Sequence, residues 1–175
     1  VPSLKPGTTA GAGYCGVRHQ LEVRVASELV IDTCVLVDMF ISTRPRHVRA
    51  RRLREEIVQK VTPVLIPAFA MFELSHALRQ DLRQNEGKFA VCYGLGHENG
   101  LTLELVPTDT DFIKRSLALE LPELRAGDLI FAALAKGRGL TLVTEDMALL
   151  VGSRASGITA LSIQECLEHI FGVAA

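Results

Sequence analysis

The sequence predicts an α/β domain built on a central parallel sheet of roughly five strands, with helices on both faces. Three observations predict it. Short β-branched apolar runs recur along the chain, among them ELVIDT (28–33), VTPVLIP (61–67) and LTLVT (140–144). Stretches with helical spacing separate them, the βαβ pattern that yields parallel pairing. Acidic residues stand at or just past the ends of these runs, or early in a helix beside one, and ligands of such sheets bind outside the carboxyl ends of the strands.

The first 27 residues are rich in Gly, Thr, Ala and Pro, lack periodicity and read as a flexible N-terminal extension; residues 28–175 form the domain. The extension contains a literal GxGxxG at Gly11, Gly13 and Gly16. No strand precedes it, so it lacks the context of a dinucleotide site. LEVRV (21–25) alternates and fits a short edge strand or part of the extension. After ELVIDT, CVLVDMFI leads past a Ser-Thr-Arg-Pro break into a helix from about Pro45 to Lys60, with Val48, Leu53, Ile57 and Val61 as its apolar stripe. The second strand, 61–67, carries Pro63 near its start, where proline is tolerated. A helix over 68–84 has Phe69, Phe72, Leu74, Ala77, Leu78 and Leu82 on its apolar side. Residues 85–100 fit a loop or a short helix. LTLELVP (101–107) alternates as the third strand. A helix over 109–121 has Asp109 or Thr110 as cap. The helix 126–139 ends in a Gly-rich stop. Strand 140–144, a short helix or turn, strand 157–162 and a closing helix 163–172 complete the order.

At 175 residues the chain suits one domain with a real core. Its 48% hydrophobic and 22% charged content is globular. A net charge of −1 excludes nucleic-acid binding by bulk charge and leaves it to a local patch. The candidate patch is Arg44, Arg46, Arg49, Arg51, Arg52 and Arg54; the plain alternative is a solvated helix face paired with Glu55 and Glu56. Cys15, Cys34, Cys92 and Cys166 show no CxxC spacing, which disfavours zinc or a disulfide framework and fits a reduced cytoplasmic protein. No apolar run reaches the roughly 18 residues of a membrane span.

Four acids carry the chemistry. Asp32 ends the first strand, Glu73 lies early in the helix after the second, Asp128 opens the helix before the fourth, and Asp146 follows the fourth. Each has an ordinary explanation: a turn former, a first-turn carboxylate, a cap. Glu73, in the apolar setting AFAMFELSHAL, is the hardest to explain that way. Topology allows all four on one rim, where carboxylates repel and raise each other's pKa unless a cation is present. Mg²⁺ or Mn²⁺ takes such oxygen ligands and suits phosphodiester hydrolysis. Competing motifs are weaker. Glu73-x-x-His76 occurs only once, and His19, His47, His97 and His169 lack ligand spacing. Ser42, Ser75 and Ser162 lack a nucleophile elbow, and there is no Walker A motif.

VIDTCVLVDMF, the isolated Glu73 and AGDLIFAALAKGRGLTLVTEDMAL together resemble the PIN-domain ribonucleases over roughly Leu29 to Ile170. The last motif is the most specific. The resemblance implies a three-layer α/β/α sandwich, Mg²⁺ or Mn²⁺, and endonucleolytic cleavage of RNA. It implies Asp32, Glu73, Asp128 and Asp146 as catalytic and metal-binding positions, with Thr144 supporting Asp32 and Glu145 in no primary role. Small bacterial members resemble VapC-type toxins of VapBC toxin–antitoxin pairs, which implies an antitoxin partner and a homodimer. Here about 27 residues precede the first strand, whereas such toxins usually start almost at it. Alternatives are an RNA-processing PIN nuclease without an antitoxin and a non-catalytic PIN-like RNA- or protein-binding scaffold. A haloacid-type phosphatase is disfavoured because Asp32-Thr33-Cys34 lacks Asp-x-Asp.

Overall fold

A computed structural model describes residues 28–81 and 100–173. The expectations for the N-terminal extension, the GxGxxG, strand 21–25, and nearly all of 85–100 lie outside these residues. Five strands form the sheet: β1 (Leu29–Ile31), β2 (Val64–Pro67), β3 (Leu103–Val106), β4 (Thr141–Val143) and β5 (Ala160–Leu161). The described helices are α1 (Thr33–Phe40), α2 (His47–Gln59), α3 (Ala70–Asp81), α4 (Thr110–Leu117), α5 (Ala126–Arg138), α6 (Met147–Ala155) and α7 (Ile163–His169).

All pairings are parallel, in the order β3-β2-β1-β4-β5. The strands run two to four residues and are largely buried, which is why their sequence is apolar without strict alternation. One core layer joins β-strand residues to α1, α2, α3 and α7 through Ile31, Leu36, Met39, Leu53, Ile57, Leu74 and Leu167. The other joins Val30, Leu65 and Leu142 to α4, α5 and α6 through Phe112, Phe131, Leu134 and Leu149. The sheet therefore has helices on both faces, as expected. The strand order reverses between β1 and β4, making a crevice at their carboxyl ends.

The local departures have physical reasons. CVLVDMF forms α1, whose first turn grows directly from Asp32. In α2 the buried residues are Ala50, Leu53 and Ile57, while Val48 is 77% exposed. Val61 is not part of that stripe either. It adopts φ 52° just past α2, where its N–H donates to Val58 O and the N–H of Thr62 donates to Ile57 O. That paired arrangement is a Schellman stop, a place that favours glycine. In α3 the core face is Ala70, Met71 and Leu74; Phe69 and Phe72 are turned outward, with Phe72 70% exposed. The α4 helix is shorter than expected, ending at Leu117, and Asp109 caps it by accepting the N–H of Phe112. Gly139, at φ 65°, closes α5.

Candidate active site

The crevice beside β1 and β4 is organised around Asp32. Its backbone N–H donates to Val143 O, fixing the end of β1 to β4. It is buried, with only 6% of the residue exposed. Two donors meet its Oδ2: the Thr144 hydroxyl at 2.7 Å and the Cys34 thiol at 2.9 Å. Both bonds fall on one oxygen, which orients the carboxylate. Burial, then the Asp32 charge, pushes the Cys34 thiol far above its ordinary range, so it acts as a neutral donor.

Thr144 is fully buried and also accepts the N–H of Asp146 at 3.0 Å. One hydroxyl thus links the residues that end β1 and follow β4. Asp146 caps α6, its Oδ1 accepting from Ala148 N and Leu149 N at 2.8 and 3.0 Å. The ordinary explanation for Asp146 is therefore real, and it coexists with a place on the rim.

Glu73 lies in the first turn of α3 and its Oε2 accepts the Thr33 hydroxyl at 3.0 Å. Its other oxygen presses on α5: a Cβ placed on Gly127 would stand 2.6 Å from Glu73 Oε1. Glycine leaves room for the Glu73 carboxylate by close approach rather than by backbone twist. Asp128, the next residue, sits in the first turn of α5. Its carboxyl is held above the usual range, first by desolvation and then by the charges of Asp146, Asp32 and Glu73; Arg125 offsets part of this. Asp128 therefore feels the charges of the three other acids across one rim.

Two clefts flank them. One of about 680 Å³ is lined by Pro122, Leu124, Arg125, Asp128, Asp146 and Ala148, among others. The other, about 550 Å³, is lined in part by Thr33, Cys34, Phe72, Glu73, His76 and Arg44. The donor set is carboxylate and hydroxyl oxygen, which fits a hard divalent cation. Among the described residues, no three His, Cys, Asp or Glu side chains form a ready metal cage. The fit is therefore to an ion held by one or two carboxylates with waters completing its shell, the usual habit of Mg²⁺.

The arginine-rich stretch divides: Arg49, Arg51 and Arg52 lie on the solvated face expected as the plain alternative, while Arg44, Arg46 and Arg54 are tied to α1. Asp38, only 1% exposed on α1, takes Arg44 Nε on Oδ1 at 3.0 Å and Arg46 Nε on Oδ2 at 2.9 Å. His47 Nδ1 lies 2.9 Å from its carbonyl oxygen. Arg54 donates to Met39 O and lies over the Phe40 ring, and Arg51 pairs with Glu55. Glu145 accepts the N–H of Ile163 at 2.8 Å and lies 3.8 Å from Arg46. It braces the strand end against α7 and the start of α2. Sequence reasoning missed Asp38, although its apolar setting in VLVDMF carried the same signal as Glu73. It also missed Gly127, whose sign was a glycine inside an otherwise good helix start.

A parallel α/β/α domain with carboxylates gathered at its switch point defines the class of the molecule. The chain belongs to the PIN domain family, whose model matches residues 29–150. Members of that family are generally nucleases. A comparison with curated protein sequences finds no match. Solved structures share the fold. PAE2754 from Pyrobaculum aerophilum is 17% identical with a TM-score of 0.54, over 84% of this chain and 97% of that one. VapBC2 from Rickettsia felis, bound to a DNA fragment from its promoter, is 15% identical with a TM-score of 0.55, over 77% and 97%. VapC20 of Mycobacterium tuberculosis, a sarcin–ricin loop cleaving toxin, is 15% identical with a TM-score of 0.52, over 75% and 96%. Among the described residues, no helix is long and apolar enough to cross a membrane.

Proposed function

We propose that the protein is a Mg²⁺- or Mn²⁺-dependent endoribonuclease and the toxin of a toxin–antitoxin pair, acting through Asp32, Glu73, Asp128 and Asp146 with Thr144 in support. The observation that carries this is the coupling of Asp128 to the other three acids at the switch point. Carboxylates that feel one another's charge are disfavoured without a cation. When bound, the ion supplies positive charge that polarises the phosphodiester and eases deprotonation of the attacking water. The rest falls to the chain itself. Thr144 and Cys34 hold Asp32 by Oδ2, orienting its other oxygen. Thr33 orients Glu73. Asp128 opens onto the cleft beside Asp146, where it can accept a proton from the attacking water. As the water oxygen bonds to phosphorus, its proton passes to Asp128, the opposite P–O bond breaks, and the leaving oxygen takes a proton from solvent water to depart as the alcohol.

The toxin reading draws support from the fold shared with VapC20 and with VapBC2. It carries an antitoxin partner and a homodimer with it. The decisive experiment is cleavage of a mixed RNA pool with Mg²⁺ or Mn²⁺, comparing wild type with Asp128→Asn. Metal-dependent cutting that the variant loses is expected. Equal cutting by both proteins, or none by either, overturns the proposal.

A further inference from the structure

Four carboxylates at one rim repel the phosphates of any RNA that approaches, and the chain's net charge of −1 offers no general attraction. A local cation is needed. Of the arginines in 44–54, Arg44, Arg46, Arg51 and Arg54 already have partners within the fold; Arg49 and Arg52 are exposed on α2 and do not line the cleft that holds Asp128 and Asp146. Arg125 differs. It is exposed, in extended backbone at φ −63° and ψ 152° immediately before α5. It lines the same cleft as Asp128 and Asp146. Its charge acts on Asp128, yet among the described residues it forms no ion pair within 4.0 Å.

We propose that Arg125 is a phosphate-positioning residue, gripping the backbone of single-stranded RNA in the cleft between residues 122–125 and the start of α6. This rests on the nuclease reading and goes beyond it by naming the contact. A guanidinium beside the acids, but not neutralised by them, keeps its forked donors for a second anion. That fork matches two oxygens of one phosphate. The neighbouring acids then face the next phosphodiester along the strand.

The test is the salt dependence of binding to a short single-stranded RNA, followed by fluorescence anisotropy in EDTA so that no metal-dependent cleavage intervenes. Loss of one phosphate contact makes the slope of log K against log salt shallower by about 0.7. Arg125→Ala is expected to show that change. Arg125→Lys should keep the slope with weaker binding, and Arg51→Ala should match wild type. Methylphosphonate placed at successive positions should erase the difference between wild type and Arg125→Ala at one position only. Identical slopes for wild type and Arg125→Ala overturn the proposal. So does a fall in melting temperature that accounts for the lost binding, which marks a structural role. A shift seen with an acidic peptide but not with RNA also overturns it, in favour of a protein partner. The slope change with no cleavage of RNA in Mg²⁺ or Mn²⁺ leaves Arg125 in place and removes the nuclease reading; cleavage with a flat slope does the reverse.

Discussion

Gly127 and Asp128 are neighbours whose constraints differ in kind. At Gly127 the constraint is space: the nearest obstacle to a Cβ is Glu73 Oε1, the far end of a flexible side chain. Gly127→Ala should therefore cost little stability, because the carboxylate moves aside and alanine is the better helix former by about 1 kcal/mol. Activity should still fall, since Glu73 is pushed from its place against Thr33. Thermal melts beside cleavage rates check this, and a melting point several degrees below wild type contradicts it. At Asp128 the constraint is charge. Its folded carboxyl lies above its unfolded value, so the folded state binds the extra proton. Stability falls as pH rises from the ordinary aspartate range through the raised value, and the penalty is then constant at neutral pH. Asp128→Asn should melt above wild type at pH 7, with the gap closing as pH drops below the ordinary aspartate range. A gap that does not change with pH rules out this origin.

Among the elements, the end of α2 carries the clearest strain. Val61 is a β-branched residue at φ 52°, 73% exposed, in the position of a Schellman stop where glycine is usual. The left-handed conformation costs a non-glycine residue about 1–2 kcal/mol. Little burial is lost on removing the side chain, so Val61→Gly should stabilise the protein by about 1 kcal/mol, less its greater unfolded freedom. Denaturant midpoints at unchanged slope measure it; destabilisation would refute it. The same residue shows where sequence reading stops. Val61 fits both a helical stripe and the start of a strand, and only the hydrogen bonds that close α2 decide against both. Phe69 and Phe72 mislead similarly: their spacing marks α3 as amphipathic, but the core takes Met71 and Leu74. By contrast, the strand cores were legible because β-branched runs bounded by turns have few other uses. The acids were legible because a carboxylate at a strand end is conspicuous. Their supports were not: Gly127 acts on Glu73 from far along the chain, and nothing in the sequence marks the thiol of Cys34, two positions from Asp32, as its donor.

For the whole molecule, the crowded acids predict a response to divalent cations. An ion that binds only the folded state at a hundredfold over its Kd adds about 2.7 kcal/mol. In a chain of this size each kcal/mol moves the melting temperature by roughly 2–4 °C. Mn²⁺ should therefore raise the melting temperature of wild type by several degrees and that of Asp32→Asn far less. Equal rises in both proteins would place the binding elsewhere.

The order β3-β2-β1-β4-β5 also bears on how the molecule comes into being. Asp32 is made early, but the Thr144 hydroxyl that orients it lies 112 positions later. Contacts that distant form slowly because the intervening chain must first be brought together. During synthesis, β1 and β2 can pair while the far side of the crevice is still inside the ribosome. The rim of acids is complete only once β4 and the start of α6 have emerged and docked beside β1. A chain whose proposed activity is to cut RNA thus stays unarmed until its later half has been made and docked.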